Sequence, residues 1–137
     1  MIHIQDNDTD FFIYPIEKIK NKGEGGTQYD SWLDMYIEIK SKGLNFSAKW
    51  GCFVCDLIEL HTQLLKLKAS DDESIYLFSP DEGMLKLIFG KNKLDTYYVT
   101  FTIYTDIRSD VYVHGISGID IPSMDNLINA VHELINY

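Results

Sequence analysis

Residues 32–50 alternate so strictly that the chain has one local option there. In the segment from Trp32 to Lys40, Leu33, Met35, Ile37 and Ile39 share one face while Asp34, Glu38 and Lys40 share the other. That is the period of a half-buried strand. Lys42-Gly43 supplies a turn, and Leu44, Phe46, Ala48 and Trp50 then alternate with Asn45, Ser47 and Lys49 on the way back. The two segments read as an antiparallel hairpin.

The same reading extends along the chain. Phe11-Phe12-Ile13-Tyr14 suits a strand, with Pro15 marking an edge or a break. The three glycines between Lys18 and Gln28 suggest a connecting loop. After Gly51 the period changes: Val54, Leu57, Ile58, His61, Leu64 and Leu65 recur at helical spacing, Asp56 and Glu59 resemble a capping box, and the helix should run to about Lys68. Ile75–Phe78 and Met84–Phe89 flank the turn sequence Ser79-Pro80-Asp81-Glu82-Gly83 and predict a second hairpin. Thr96–Thr105 and Val111–His114 predict further strands, with a bulge or bend at Gly115 and Gly118. Ser123 is the expected N-cap of a closing helix that carries Met124, Leu127, Ile128, Val131, Leu134 and Ile135. The expected architecture is α+β: one domain over residues 1–137, an antiparallel meander sheet of six or seven strands, and two helices packed on one face. No internal repeat is evident.

Composition bears on function through charge. Twelve basic residues against 21 acidic ones give a formal net charge of -9, which repels phosphate backbones and anionic lipid and favours a basic protein partner. Direct nucleic-acid binding and a membrane partner are therefore not expected. With no signal-like or membrane-length apolar run, the expected location is cytoplasmic.

The motifs that could carry chemistry are weak. Cys52 and Cys55 form a C-x-x-C pair ahead of a helix, where a thiolate can be stabilised, but the preceding strand belongs to a hairpin meander rather than a βαβ unit. A thiol-dependent redox protein is thus an alternative, with buried structural thiols the plainer reading. His61, His114 and His132 fall on three different elements and the cysteine pair lacks a second ligand pair, so no metal or other cofactor is expected. Asp6, Asp8, Asp10 and Glu17 match calcium-loop positions, but Phe11 replaces the required glycine and Pro15 interrupts. No serine–histidine–carboxylate order is recognisable, so no catalytic residue is nominated. The remaining candidate is a surface: Asp71, Asp72 and Glu73, with Asp81 and Glu82, could form a negative patch that docks a basic partner.

Ser31-Trp32-Leu33 opening an alternating strand, the Trp50 strand end, and the Leu57, Leu60, Leu64, Leu67 helix resemble the WapI-type immunity proteins, bacterial proteins of contact-dependent and polymorphic toxin systems. The resemblance covers roughly residues 30 to 136, with Leu85–Phe89, Tyr97–Tyr104 and the Leu127–Ile135 helix in the same order. It implies a cytoplasmic, non-enzymatic immunity protein that binds and neutralises a cognate toxin domain. Some toxins so paired are nucleases, whose basic clefts an acidic inhibitor can cover. A structural adaptor in a bacterial assembly is the remaining alternative.

Overall fold

Ile2 and Ile4 alternate with His3 and Gln5, and this opening strand, absent from the sequence-based expectation, changes the architecture. The computed structural model describes residues 1–20, 31–80, 83–106 and 108–137. Among them the order is β1 (Ile2–Asp6), β2 (Thr9–Ile19), β3 (Trp32–Ser41), β4 (Leu44–Phe53), α1 (Val54–Ala69), β5 (Ser74–Phe78), β6 (Leu85–Lys91), β7 (Tyr97–Tyr104), β8 (Tyr112–Ile119) and α2 (Ile121–Ile135).

The chain is α+β and antiparallel, but it does not build one meander. It forms two four-stranded sheets, β1-β2-β3-β4 and β5-β6-β7-β8. The physical reason is local: β4 runs directly into the sixteen-residue α1, and β5 then pairs with β6 rather than returning to β4. With β1 counted, each half is four strands and a helix, so a ββββα unit recurs that the sequence did not reveal. The expected face for both helices is corrected accordingly: α1 and α2 contact each other, with α1 also against β5 and α2 against β1.

Hairpin geometry follows turn chemistry. Asn7 takes φ 50 between Asp6 and Thr9, and Gly43 takes φ 80 between Ser41 and Leu44. Asparagine and glycine tolerate this left-handed conformation where branched residues do not. Pro15 does not end β2, which passes it with a register shift between Pro15 and Glu17. The bend expected at Gly115 and Gly118 is also absent: β8 pairs with β7 without a shift from Tyr112 to Ile119. The loop expected from Lys18 begins later, since Lys18 and Ile19 belong to β2, and residues 21–30 lie outside the described residues.

Inward side chains from both sheets and both helices form one contiguous core, in which Phe11 meets Phe101 at 5.5 Å between ring centroids. Side chains of both sheets and both helices, among them Ile4, Phe11, Trp50, Leu57, Phe89 and Leu127, line a cavity of about 10 Å³. The buried stripe of α1 is Val54, Leu57, Leu60, Leu64 and Leu67, with Leu65 exposed. No side chain caps α1 at Phe53, and Asp56 lies inside its first turn rather than at its cap. α2 begins at Asp120, whose carboxylate accepts from the Ser123 amide at 2.8 Å, so Asp120 and not Ser123 is the cap.

Candidate functional site

The alternation that buries Leu33, Met35 and Ile37 turns Trp32, Asp34, Tyr36, Glu38 and Lys40 outward. On the neighbouring strands it turns out His3, Phe12, Tyr14, Ser47, Lys49 and Phe53. Strand pairing then sets these side chains side by side. His3 faces Phe12 and Phe12 faces Glu38, while Tyr14 faces Tyr36 and Tyr36 faces Lys49.

The rings form an organised surface. His3 stacks on Phe12 at 4.3 Å with 13° between planes, and Phe12 stacks on Tyr14 at 5.6 Å, again 13° apart. Three rings therefore stand nearly parallel across two strands. His3 Nε2 is held 2.8 Å from Asp10 Oδ1, and Lys40 Nζ lies 6.0 Å from the Phe12 centroid while pairing with Glu38 at 3.0 Å. Tyr36 stands beside the column, 46% exposed. At the far end Trp32 lies across Gly51, where a Cβ would come within 2.6 Å of the indole; its Nε1–H donates to Asp34 at 2.8 Å and Phe53 meets it edge-on at 5.0 Å. Glycine at position 51 is thus what lets the indole lie flat on the sheet.

Electrostatics couple the middle of this face. The Tyr14 hydroxyl is pushed above its ordinary pKa, first by desolvation and then by the charge and hydrogen bond of Glu38. The bond to Glu38 and its charge hold the Lys40 ammonium above the usual lysine value. Asp10, Glu17, Asp34 and Glu38 are only partly offset by Lys40 and Lys49, which leaves the face with a small share of the negative charge of the chain.

The residues singled out from sequence fall elsewhere. Asp71, Asp72 and Glu73 are exposed between α1 and β5, with Glu73 3.9 Å from Lys93; Asp81 and Glu82 lie outside the described residues. Cys52 is buried on the inner face of β4 while Cys55 is exposed in the first turn of α1. Burial, reinforced by Asp56 and Cys55, drives the Cys52 thiol far above its ordinary pKa, the opposite of what a reactive pair needs. Asp6 accepts from the Gly118 amide at 2.8 Å, tying β1 to β8. His61 and His132, separate in sequence, meet across α1 and α2 at 5.6 Å.

No family model and no curated protein matches the chain. Among solved structures it is similar to the plant transcriptional regulator PBF-2, with TM-score 0.50 and 9% identity over 98% of this chain and 79% of that one. It is likewise similar to WHY1 from Arabidopsis thaliana, with TM-score 0.51 and 12% identity over 98% of this chain and 82% of that one. At such identities the likeness is one of fold.

This finding corrects the functional expectation. The fold is that of solved structures that include a transcriptional regulator, and toxin neutralisation, a cognate toxin partner and the exclusion of direct nucleic-acid contact are withdrawn. The physical error lay in applying the net charge of the whole chain to every face of it. The thiol alternative fails on the burial of Cys52, and the bacterial adaptor is withdrawn with the immunity reading.

Proposed function

We propose that the protein is a non-enzymatic binding module for single-stranded nucleic acid, with the outer face of β1–β4 as its platform. The observation that carries this is the parallel His3–Phe12–Tyr14 column with Tyr36 beside it on an open four-stranded sheet. Unpaired bases stack on outward aromatic rings of such sheets, and each stacked base contributes about 1–3 kcal/mol largely without regard to sequence. A base whose plane follows the column extends it or lies against Tyr36. Lys40 and Lys49 border the rings and take the phosphates.

The acidic remainder of the chain has a role in this reading. It opposes the non-specific phosphate attraction that lets basic proteins hold duplex DNA, so binding depends on bases that are free to stack. The likeness to a transcriptional regulator adds weight to nucleic acid as the ligand.

The test is fluorescence anisotropy with labelled fifteen-nucleotide oligo-dT and oligo-U and a blunt duplex of the same length, at low salt. Two or three stacked bases predict a Kd on the order of 10–100 µM for both single strands, with the duplex roughly tenfold weaker or worse. Equal affinity for duplex and single strand, or no binding of either strand at several hundred µM, overturns the proposal.

A further inference from the structure

The outer face of β5–β8 differs in chemistry from that of β1–β4. Its outward positions are Ile75 and Leu77 on β5, Lys86, Ile88 and Gly90 on β6, Tyr98, Thr100, Thr102 and Tyr104 on β7, and Tyr112, His114, Ile116 and Gly118 on β8. None is Asp or Glu, in a chain with 21 of them. Register lines up Leu77, Ile88, Thr100 and Ile116 as one row across all four strands. Ile75, Leu77 and Ile116 are 72%, 50% and 66% exposed. Beside the row Tyr98 lies across Gly90, where a Cβ would fall 2.1 Å from the ring, so the surface is smooth as well as apolar.

We infer that this face pairs with the same face of a second copy of the chain in a two-fold dimer. Charge selects the occupant. Two copies of a chain with net charge -9 repel over most of their surfaces, and this is a face whose outward strand positions they can bring together with no Asp or Glu among them and one carboxylate, Asp6, at its edge. Among the described residues the nearest acid is Asp6, whose carboxylate bonds the Gly118 amide at the β8 edge of the face, while Glu73, Asp95, Asp106 and Asp110 sit exposed in the connections beyond the strand ends, where water solvates them. Lys86 and His114 lie in a row of their own with Thr102, whose hydroxyl is 2.8 Å from His114 Nδ1, and leave the Leu77–Ile116 row clear. A lysine at that position lays its stem on the apolar surface and keeps its ammonium in water.

Size sets the strength. Four strands at ~4.8 Å spacing and about seven residues at ~3.4 Å rise make a face of roughly 20 by 24 Å. With side-chain relief this reaches on the order of 600 Å² per partner, the small end of specific interfaces, so the dimer forms in the micromolar range. The inference is independent of the nucleic-acid reading, which concerns the other sheet.

Sedimentation equilibrium on the full chain between about 1 and 300 µM tests it. The expected result is a concentration-dependent rise from 15.8 kDa toward twice that mass, with Leu77→Asp and Ile116→Asp each weakening association about 30-fold or more, as central contacts do. Both sites are solvent-exposed, so circular dichroism and melting of the variants should match the parent. A mass that stays monomeric throughout overturns the inference and leaves the face to a different protein; a dimer that persists unchanged in both folded variants assigns the contact to another surface and overturns it equally.

Discussion

The ionic-strength dependence of single-strand binding can be worked out from the face itself. The outward residues of β1–β4 include two lysines beside the rings, Lys40 and Lys49, and Lys40 already shares its charge with Glu38 at 3.0 Å. Two neutralised phosphates give a slope of log K against log salt of about -1.4, because single strands release roughly 0.7 counterion per phosphate. Raising salt from about 50 to 200 mM should therefore weaken binding only about sevenfold, whereas a protein with eight phosphate contacts would lose some three orders of magnitude. Replacing Lys49 by Ala should halve the slope to about -0.7 and leave the high-salt affinity nearly untouched, since stacking is not screened. The assay is an anisotropy titration at five salt concentrations for the parent and Lys49→Ala. A slope steeper than about -3 would mean that the strand lies on a different, more basic surface, and a slope of zero would mean that neither lysine meets a phosphate; either refutes the reasoning.

Other consequences concern the fold that holds the platform. Phe11→Ala empties a fully buried site at the junction of the sheets and should cost about 3–5 kcal/mol in urea unfolding, while Phe12→Ala, one residue away but on the outer face, should cost less than about 1.5 kcal/mol. Asp120 has its carboxyl held below the ordinary 3.8 by the Ser123 hydroxyl and amide. Its contribution to stability is complete above that ordinary value and disappears as pH falls through the lower folded value, so Asp120→Asn, which caps without titrating, should lose less melting temperature than the parent below about pH 4. Under native conditions a thiol reagent should modify Cys55 readily and Cys52 only after unfolding; fast modification of both would contradict the burial of Cys52.

Much of the fold was legible because period and turn chemistry are local. The alternation of residues 32–50 located β3 and β4, although β4 runs on to Phe53, and the terminal stripe located α2. What the sequence concealed was long-range. β1 is only five residues and its Ile-His-Ile-Gln alternation is brief, so the count fell short of two equal sheets. Whether β5 returns to β4 or starts a new sheet depends on pairing across a helix, which no local pattern records.

The candidate site was half visible. Tyr36 stands on the polar side of the clearest alternation in the chain, and Phe12 and Tyr14 alternate with the buried Phe11 and Ile13. Aromatic residues at outward positions of adjacent strands were the available signal. The net charge drew attention instead to Asp71, Asp72 and Glu73, a loop cluster that the structure leaves exposed between α1 and β5, on the other half of the chain from the β1–β4 face. The alignment of His3, Phe12 and Tyr14 into one column could not be read at all, because it depends on the β1–β2 register.

The most direct test of the account is a comparison of oligo-dT binding by the parent and by Tyr14→Ala with Tyr36→Ala, the end ring of the column and the ring beside it, with melting temperature measured on the same samples. The account predicts that the pair, removing about two stacked bases, lowers affinity at least about 30-fold while the chain stays folded. Undiminished binding by a folded double variant would contradict the assignment of the outer face of β1–β4 as the nucleic-acid platform.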